Sequence, residues 1–143
     1  MSVTLDANVL VYASDDRSDV HDGAEALVRR LAAGPEILYL FWPVLMGYLR
    51  IVTHPAILTT PLAPAIAMRN VESLLDRPHV RAPGELEGFW PIFRTTAGDH
   101  PRGNDVPDAH LVALMRQHGV RVVYSRDRDL RVYDGIEVRD ELR

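Results

Sequence analysis

Val3-Thr4-Leu5-Asp6-Ala7-Asn8-Val9-Leu10-Val11-Tyr12 is an apolar, β-branched run with a single carboxylate inside it. Its composition predicts the first strand of the fold, with Asp6 within that strand or near its carboxyl end. An ionised carboxylate buried without a partner costs several kcal/mol, so Asp6 is protonated, paired with an Arg, or held for a metal ion. No Arg lies within the run, which disfavours the ion pair.

Outward from this run, apolar periodicity alternates between the two regular periods. Val20 to Ala33 carries Ala24, Leu27, Val28 and Leu31 at helical spacing and stops at Gly34-Pro35. Glu36 to Phe41 is β-like, and Pro43 then opens a second helix through Val44, Leu45, Tyr48, Leu49 and Val52, ended by Thr53-His54-Pro55. A third helix has Pro64 in its first turn and ends before Pro78, after which His79-Val80-Arg81 suits an edge strand. Gly84 to Thr95 reads as a fourth helix in which Pro91 is a misfit. A fifth runs from near Asp105 to His118 and is closed by Gly119. Arg121 to Tyr124 is a strand, Ser125 to Leu130 a turn or short helix, and Gly135 to Val138 the last strand. Strands separated by helices predict one α/β domain over residues 1–143, with a mainly parallel sheet and right-handed crossovers.

Composition narrows the function. The chain has no Cys, which excludes disulfide and thiolate chemistry. A net charge of −4 excludes a protein that coats nucleic acid by bulk electrostatics, so any such contact is local. All 16 basic residues are Arg, a side chain suited to bidentate contacts with carboxylate or phosphate, although genome composition explains the bias equally well. No secretory leader pattern opens the chain, and the most apolar run, Ile37 to Val52, is interrupted by Pro43, Gly47 and Arg50 and is shorter than the about 20 residues needed to cross a bilayer. A cytoplasmic protein with no membrane partner is expected.

Function in open parallel sheets collects beyond the carboxyl ends of the strands. Asp6 lies within the first strand or near its carboxyl end, Asp127 follows the strand ending at Tyr124, and Asp105 and Asp108 open the helix before it. Asp105 and Asp108 share a helix face, with Asp108 heading the stripe Leu111, Val112 and Met115. Taken alone, that pair is explained as well by Asp105 as an N-cap with Asp108 imitating a capping box. Asp127 and Asp129 also suit solvated turn positions beside Arg126, Arg128 and Arg131, Asp129 more so, and Ser125 suits a cap. Four acids converging from distant segments favour a metal site built on Asp6, Asp105, Asp108 and Asp127.

With these residues the chain resembles a PIN-domain ribonuclease of the VapC toxin type. The matching segments are Leu5-Asp6-Ala7-Asn8-Val9-Leu10, Arg50-Ile51-Val52-Thr53-His54-Pro55, Asn104-Asp105-Val106-Pro107-Asp108-Ala109-His110 and Ser125-Arg126-Asp127-Arg128-Asp129-Leu130. The resemblance implies a three-layer α/β/α fold around a parallel sheet. It implies an endoribonuclease dependent on Mg²⁺ or Mn²⁺, RNA as substrate, a cognate antitoxin as partner and a homodimer. Asp6 and Asp108 would be the metal ligands, Asp105 and Asp127 nearby carboxylates, Ser125 an orienting group for Asp127 or a water, and Asn8 part of the site's shape. Hard oxygen donors suit Mg²⁺, and such an ion polarises a phosphate and activates water. None of His54, His100, His110 and His118 is needed as a base.

The chain departs from the resemblance at one position. Relatives of this type carry a Glu three residues before the Arg of the Arg-x-x-Thr-His-Pro stretch, and here that position is Gly47. Gly inside a helix costs about 0.5–1 kcal/mol relative to Ala, so helix propensity gives no reason for it. Two other readings stand beside the nuclease: a catalytically weakened module that still binds antitoxin or RNA, favoured by Gly47, and a Mg²⁺-dependent phosphatase or receiver-like domain. The last lacks a second Asp two positions after Asp6 and a matching Lys.

Overall fold

Strand β1 (Ser2–Leu5) is the centre of the sheet. In this computed structural model, which describes residues 1–142 and leaves Arg143 of the expected domain outside, β1 has parallel neighbours on both sides. A strand covered on both edges and both faces has to be apolar throughout, and Val3 and Leu5 are fully buried. The hydroxyl of Thr4, also fully buried, is satisfied by donating to the Tyr39 carbonyl at 2.6 Å.

The strand expected over residues 3–12 ends at Leu5, and residues Ala7–Ser14 form helix α1 instead. Ten extended residues would reach about 33 Å, whereas the neighbouring strands β2 (Ile37–Tyr39) and β4 (Val122–Tyr124) are three residues long and leave nothing to pair with. Asp6 makes the change of direction. Its backbone is extended, and its carboxylate accepts the Val9 N–H at 3.1 Å, an N-cap that starts α1.

After α1 come α2 (His21–Ala33), β2, α3 (Trp42–Val52), α4 (Pro64–Leu75), β3 (Val80–Arg81), α5 (Phe89–Ala97), α6 (Asp105–His118), β4, a 3-10 turn (Arg128–Val132) and β5 (Glu137–Arg139). The sheet is wholly parallel, in the order β3-β2-β1-β4-β5, and lies between helical layers as a three-layer α/β/α fold. The helix expected over 84–95 starts later, at Phe89, because Gly88 has φ +81°, which a helix cannot pass through. The preceding segment is held instead by Gln117, whose side chain bonds to the Leu86 N–H at 2.8 Å and to the Leu86 and Glu87 carbonyls at 3.2 Å. Pro91 is no misfit in this frame, since it falls in the first turn, where no N–H is required.

The C-terminal segment closes on α2 at Gly23. Leu142 is buried, and its backbone carbonyl lies against the α carbon of Gly23, where a methyl group would sit far inside van der Waals contact. Ala in place of Gly gains about 1 kcal/mol of helix propensity, but displacing a packed backbone costs about 1–3 kcal/mol. Gly23→Ala is therefore expected to lower the urea midpoint without changing the m-value, and a raised midpoint would mean that the 140–142 segment yields freely.

Candidate metal centre

The chain leaves β1 toward β2 on one side, whereas β4 leads to β5 on the other, so the carboxyl ends of β1 and β4 flank a topological switch point. Crevices of this kind hold the ligands of open α/β sheets. The register aligns Leu5 with Tyr124, and the Asp6 N–H donates to the Tyr124 carbonyl at 3.2 Å. Residues 6 and 125 therefore emerge side by side, although 119 positions separate them.

Ser125, almost wholly buried, uses its hydroxyl twice: it donates to the Asp6 carboxylate and accepts the Asp127 N–H at 2.8 Å. Asp127 in turn caps the 3-10 turn by accepting the Asp129 N–H at 2.9 Å. The expected orienting role of Ser125 thus takes a different form, with the hydroxyl on the carboxylate of Asp6 and on the backbone, not the carboxylate, of Asp127. The third segment is the first turn of α6, from which Asp108 projects above the buried Leu111, Val112 and Met115, as the periodicity predicts.

Asp6, Asp108, Asp127 and Asp129 line one cleft of about 310 Å³ together with Asn8, Gly47 and Arg50. One carboxylate oxygen each from Asp108, Asp127 and Asp129 lies within 4.8 Å of the others. Burial pushes the Asp108 carboxyl up to about 6, helped by the charges of Asp127, Asp129, Asp6 and Asp105. Burial also raises Asp6, against the opposing effect of its bonds from Ser125 and Val9, and the Asp127 charge adds to the rise. Among the described residues none of these carboxylates forms an ion pair. A concentration of hard, anionic oxygen donors without an Arg or His counter-ion fits a divalent cation of the Mg²⁺ or Ca²⁺ class.

The remaining expected residues sort by place. Asn8 lines the cleft but is exposed. Asp105 is exposed and outside the cleft lining; Asn104, not Asp105, occupies the cap position, and the Asp105 carboxylate accepts the Arg102 N–H at 3.1 Å. The capping-box reading of Asp105 and Asp108 is corrected accordingly. Asp129 is the exposed turn residue expected, but it forms no ion pair with a neighbouring Arg, and the 3-10 turn also brings its carboxylate beside Asp127. Its sequence signal is only an Asp-x-Asp spacing after a strand. His110 bonds to Glu85 at 2.6 Å and His118 to the Gly84 carbonyl at 2.9 Å, both away from the cleft.

A second cleft of about 320 Å³ lies among α1, α2, α3 and α4, where Ser14 and Asn70 both hydrogen-bond to the Tyr48 hydroxyl. Its one carboxylate, Glu25, is paired with Arg29 at 3.3 Å, so of the two clefts only the first gathers unpaired acids.

A family profile described as PIN domain matches residues 3–136. The chain is 55% identical over 141 residues to Ribonuclease VapC48 of Mycobacterium tuberculosis, covering 98% of this chain and 97% of that one. Among solved structures, M. tuberculosis VapC20, described as a sarcin-ricin loop cleaving toxin, superposes with a TM-score of 0.69 at 18% identity, over 97% of this chain and 100% of that one. VapBC2 from Rickettsia felis, bound to a fragment of its promoter DNA, gives 0.63 at 11% identity over 97% and 98%. The two structural likenesses establish the fold.

The raised acid at position 108 fixes a pH dependence. A carboxyl held above its unfolded value binds its proton more tightly in the folded state, so its contribution to stability is present at low pH and is lost as pH rises through about 6. In EDTA, the melting temperature of the native chain relative to Asp108→Asn should fall between about pH 4 and about pH 6 and level off above that. Parallel pH profiles for the two proteins would show that Asp108 is not perturbed.

Proposed function

This chain belongs to the PIN-domain family, among its VapC ribonucleases, and on that premise we propose that it is a metal-dependent endoribonuclease toxin of a toxin–antitoxin pair, acting in the cytoplasm. The observation that carries this reading is the convergence of Asp6, Asp108, Asp127 and Asp129 on one cleft at the switch point of the sheet. The proposed ligands are Asp6 and Asp108, with Asp127 and Asp129 beside them and Asp105 as an outer negative charge. Mg²⁺ or Mn²⁺ bound there supplies Lewis acidity toward a phosphodiester and a nucleophilic water.

The residues of the chain do the rest. Ser125 and the Val9 N–H fix both oxygens of Asp6, leaving that carboxylate one orientation. Asp127 is held through its backbone bond to Ser125, which also bonds Asp6, so the ends of β1 and β4 are joined through one hydroxyl. Asp108 stands on the buried stripe of α6, which holds it against the repulsion of its neighbours. Pre-positioned acids spare the reorganisation that a flexible set would need at the moment of reaction. The partners in this reading are RNA, a cognate antitoxin and a second copy of the chain, for which the exposed Trp42 and Met46 of α3 and Ile66 and Met68 of α4 offer apolar surface.

One observation favours the weakened-module reading. Gly47 lines the cleft without contributing a donor, and a Cβ built on it meets only the Cβ of Ala7, at 3.4 Å, which is ordinary contact. The position therefore accepts a side chain and is not kept small by crowding.

Two measurements test the proposal. Asp6→Asn and Asp108→Asn should each abolish the Mn²⁺ binding seen by calorimetry in the native chain while leaving the fold intact; unchanged affinity in both would remove the metal assignment. Gly47→Glu should raise RNA cleavage about 10- to 100-fold at saturating Mg²⁺, the range over which residues supporting a metal site act, and should stabilise α3 by about 0.5–1 kcal/mol. A Gly47→Glu variant that folds, binds metal and cleaves a panel of RNAs no faster than the native chain would show that position 47 is not the missing acid.

A further inference from the structure

We propose that Arg50 is the phosphate-holding residue of the acidic cleft, receiving an RNA phosphodiester through its guanidinium; this rests on the nuclease reading above and assigns the group that lets a polyanion enter. Among the described residues, Arg50 is the one cationic side chain lining a cleft that also carries four carboxylates. Among those residues it also makes no ion pair and no side-chain hydrogen bond, although carboxylates line the same cleft. The other Arg side chains near these acids in sequence, at 126, 128 and 131, do not line it.

Charge balance shows why such a group is needed. Four carboxylates carry formally four negative charges, a single divalent cation cancels two, and an approaching phosphodiester then meets a net negative cleft. Arg50 supplies the further positive charge on the described lining. Its planar fork matches two non-bridging phosphate oxygens, a bidentate arrangement that Lys cannot reproduce.

Gly47 adds a second reason. Positions 47 and 50 are three apart on α3 and both line the cleft, so an acidic side chain at 47 would stand within i,i+3 reach of the guanidinium and lower RNA affinity, an effect separate from the gain in turnover expected from an added acid at the metal. With Gly47 in place, Arg50 is available to RNA. The competing account is that Arg50, in the last turn of α3, merely offsets the helix dipole. That account predicts a change in stability and none in RNA binding.

The test is fluorescence anisotropy of the native chain, Arg50→Gln and Arg50→Lys with a labelled, mixed-sequence single-stranded RNA in Ca²⁺, across a salt series, with thermal melts and Mn²⁺-supported cleavage alongside. Arg50→Gln should weaken RNA binding several-fold and reduce the slope of log affinity against log salt by about 0.7, the value for one phosphate contact on a single strand. Arg50→Lys should keep the slope and bind more weakly than native. In the Gly47→Glu background the effect of Arg50→Gln on binding should shrink. If the native chain binds RNA and Arg50→Gln matches it in affinity and slope, the assignment of Arg50 is overturned while the nuclease reading stands. If the native chain neither binds nor cleaves RNA in Ca²⁺ or Mn²⁺, the nuclease reading falls and this inference with it.

Discussion

The bond from the Ser125 hydroxyl to the Asp6 carboxylate ties together the two strand ends on which the cleft is built. It exists because the parallel register sets Leu5 against Tyr124, so the next residue on each strand reaches the same point in space. A half-buried acid with both oxygens bonded is tolerable where an unsatisfied one is not, since a charged group stripped of its hydrogen bonds is far costlier than the few kcal/mol a bond to it contributes. Ser125 also accepts from the backbone of Asp127. One hydroxyl thus sets the orientation of one acid and the path of the loop that carries two more.

The same cleft is a place where stability is given up. Asp108 is pushed to about 6 by burial and by four neighbouring acids, and among the described residues none of these acids forms an ion pair. A sequence selected for stability alone would pair these charges or spread them. The cluster persists because the surrounding scaffold over-determines it: α6 presents an apolar stripe that is almost wholly buried, and β1 and β4 are buried strands. The cost is local and the support is distributed.

Much of this is legible in the sequence where punctuation and periodicity agree. The helices at 21–33, 42–52, 64–75 and 105–118 follow apolar periodicity bounded by Gly34-Pro35, Pro43, Pro64 and Gly119. The run after Leu5 misleads because a buried strand and a buried helix are both continuous in apolar residues; only the short neighbouring strands and the cap made by Asp6 separate them. Gly88 hides the start of α5 because a left-handed backbone leaves no mark on a composition that otherwise looks helical. Asp6, Asp108 and Asp127 can be placed at the cleft because each adjoins a strand end or helix start. Asp129 cannot, since an exposed turn acid beside Arg128 and Arg131 carries no sign of the tight 3-10 turn that also sets it next to Asp127.

The topology also sets a schedule. β1 is synthesised first, yet its partner β4 and the acids at 127 and 129 arrive near the end of the chain, after β2, β3 and six helices. Contacts of such long sequence separation form late and slowly, because the intervening loop has to be closed before any pairing repays it. During translation the cleft is therefore incomplete for nearly the whole time that the chain remains attached to a ribosome, a particle made largely of RNA. A chain made only as far as α6 holds Asp6 and Asp108 and still lacks the strand that aligns them. The acidic cleft is therefore complete only when the chain is, an order imposed by the strand topology.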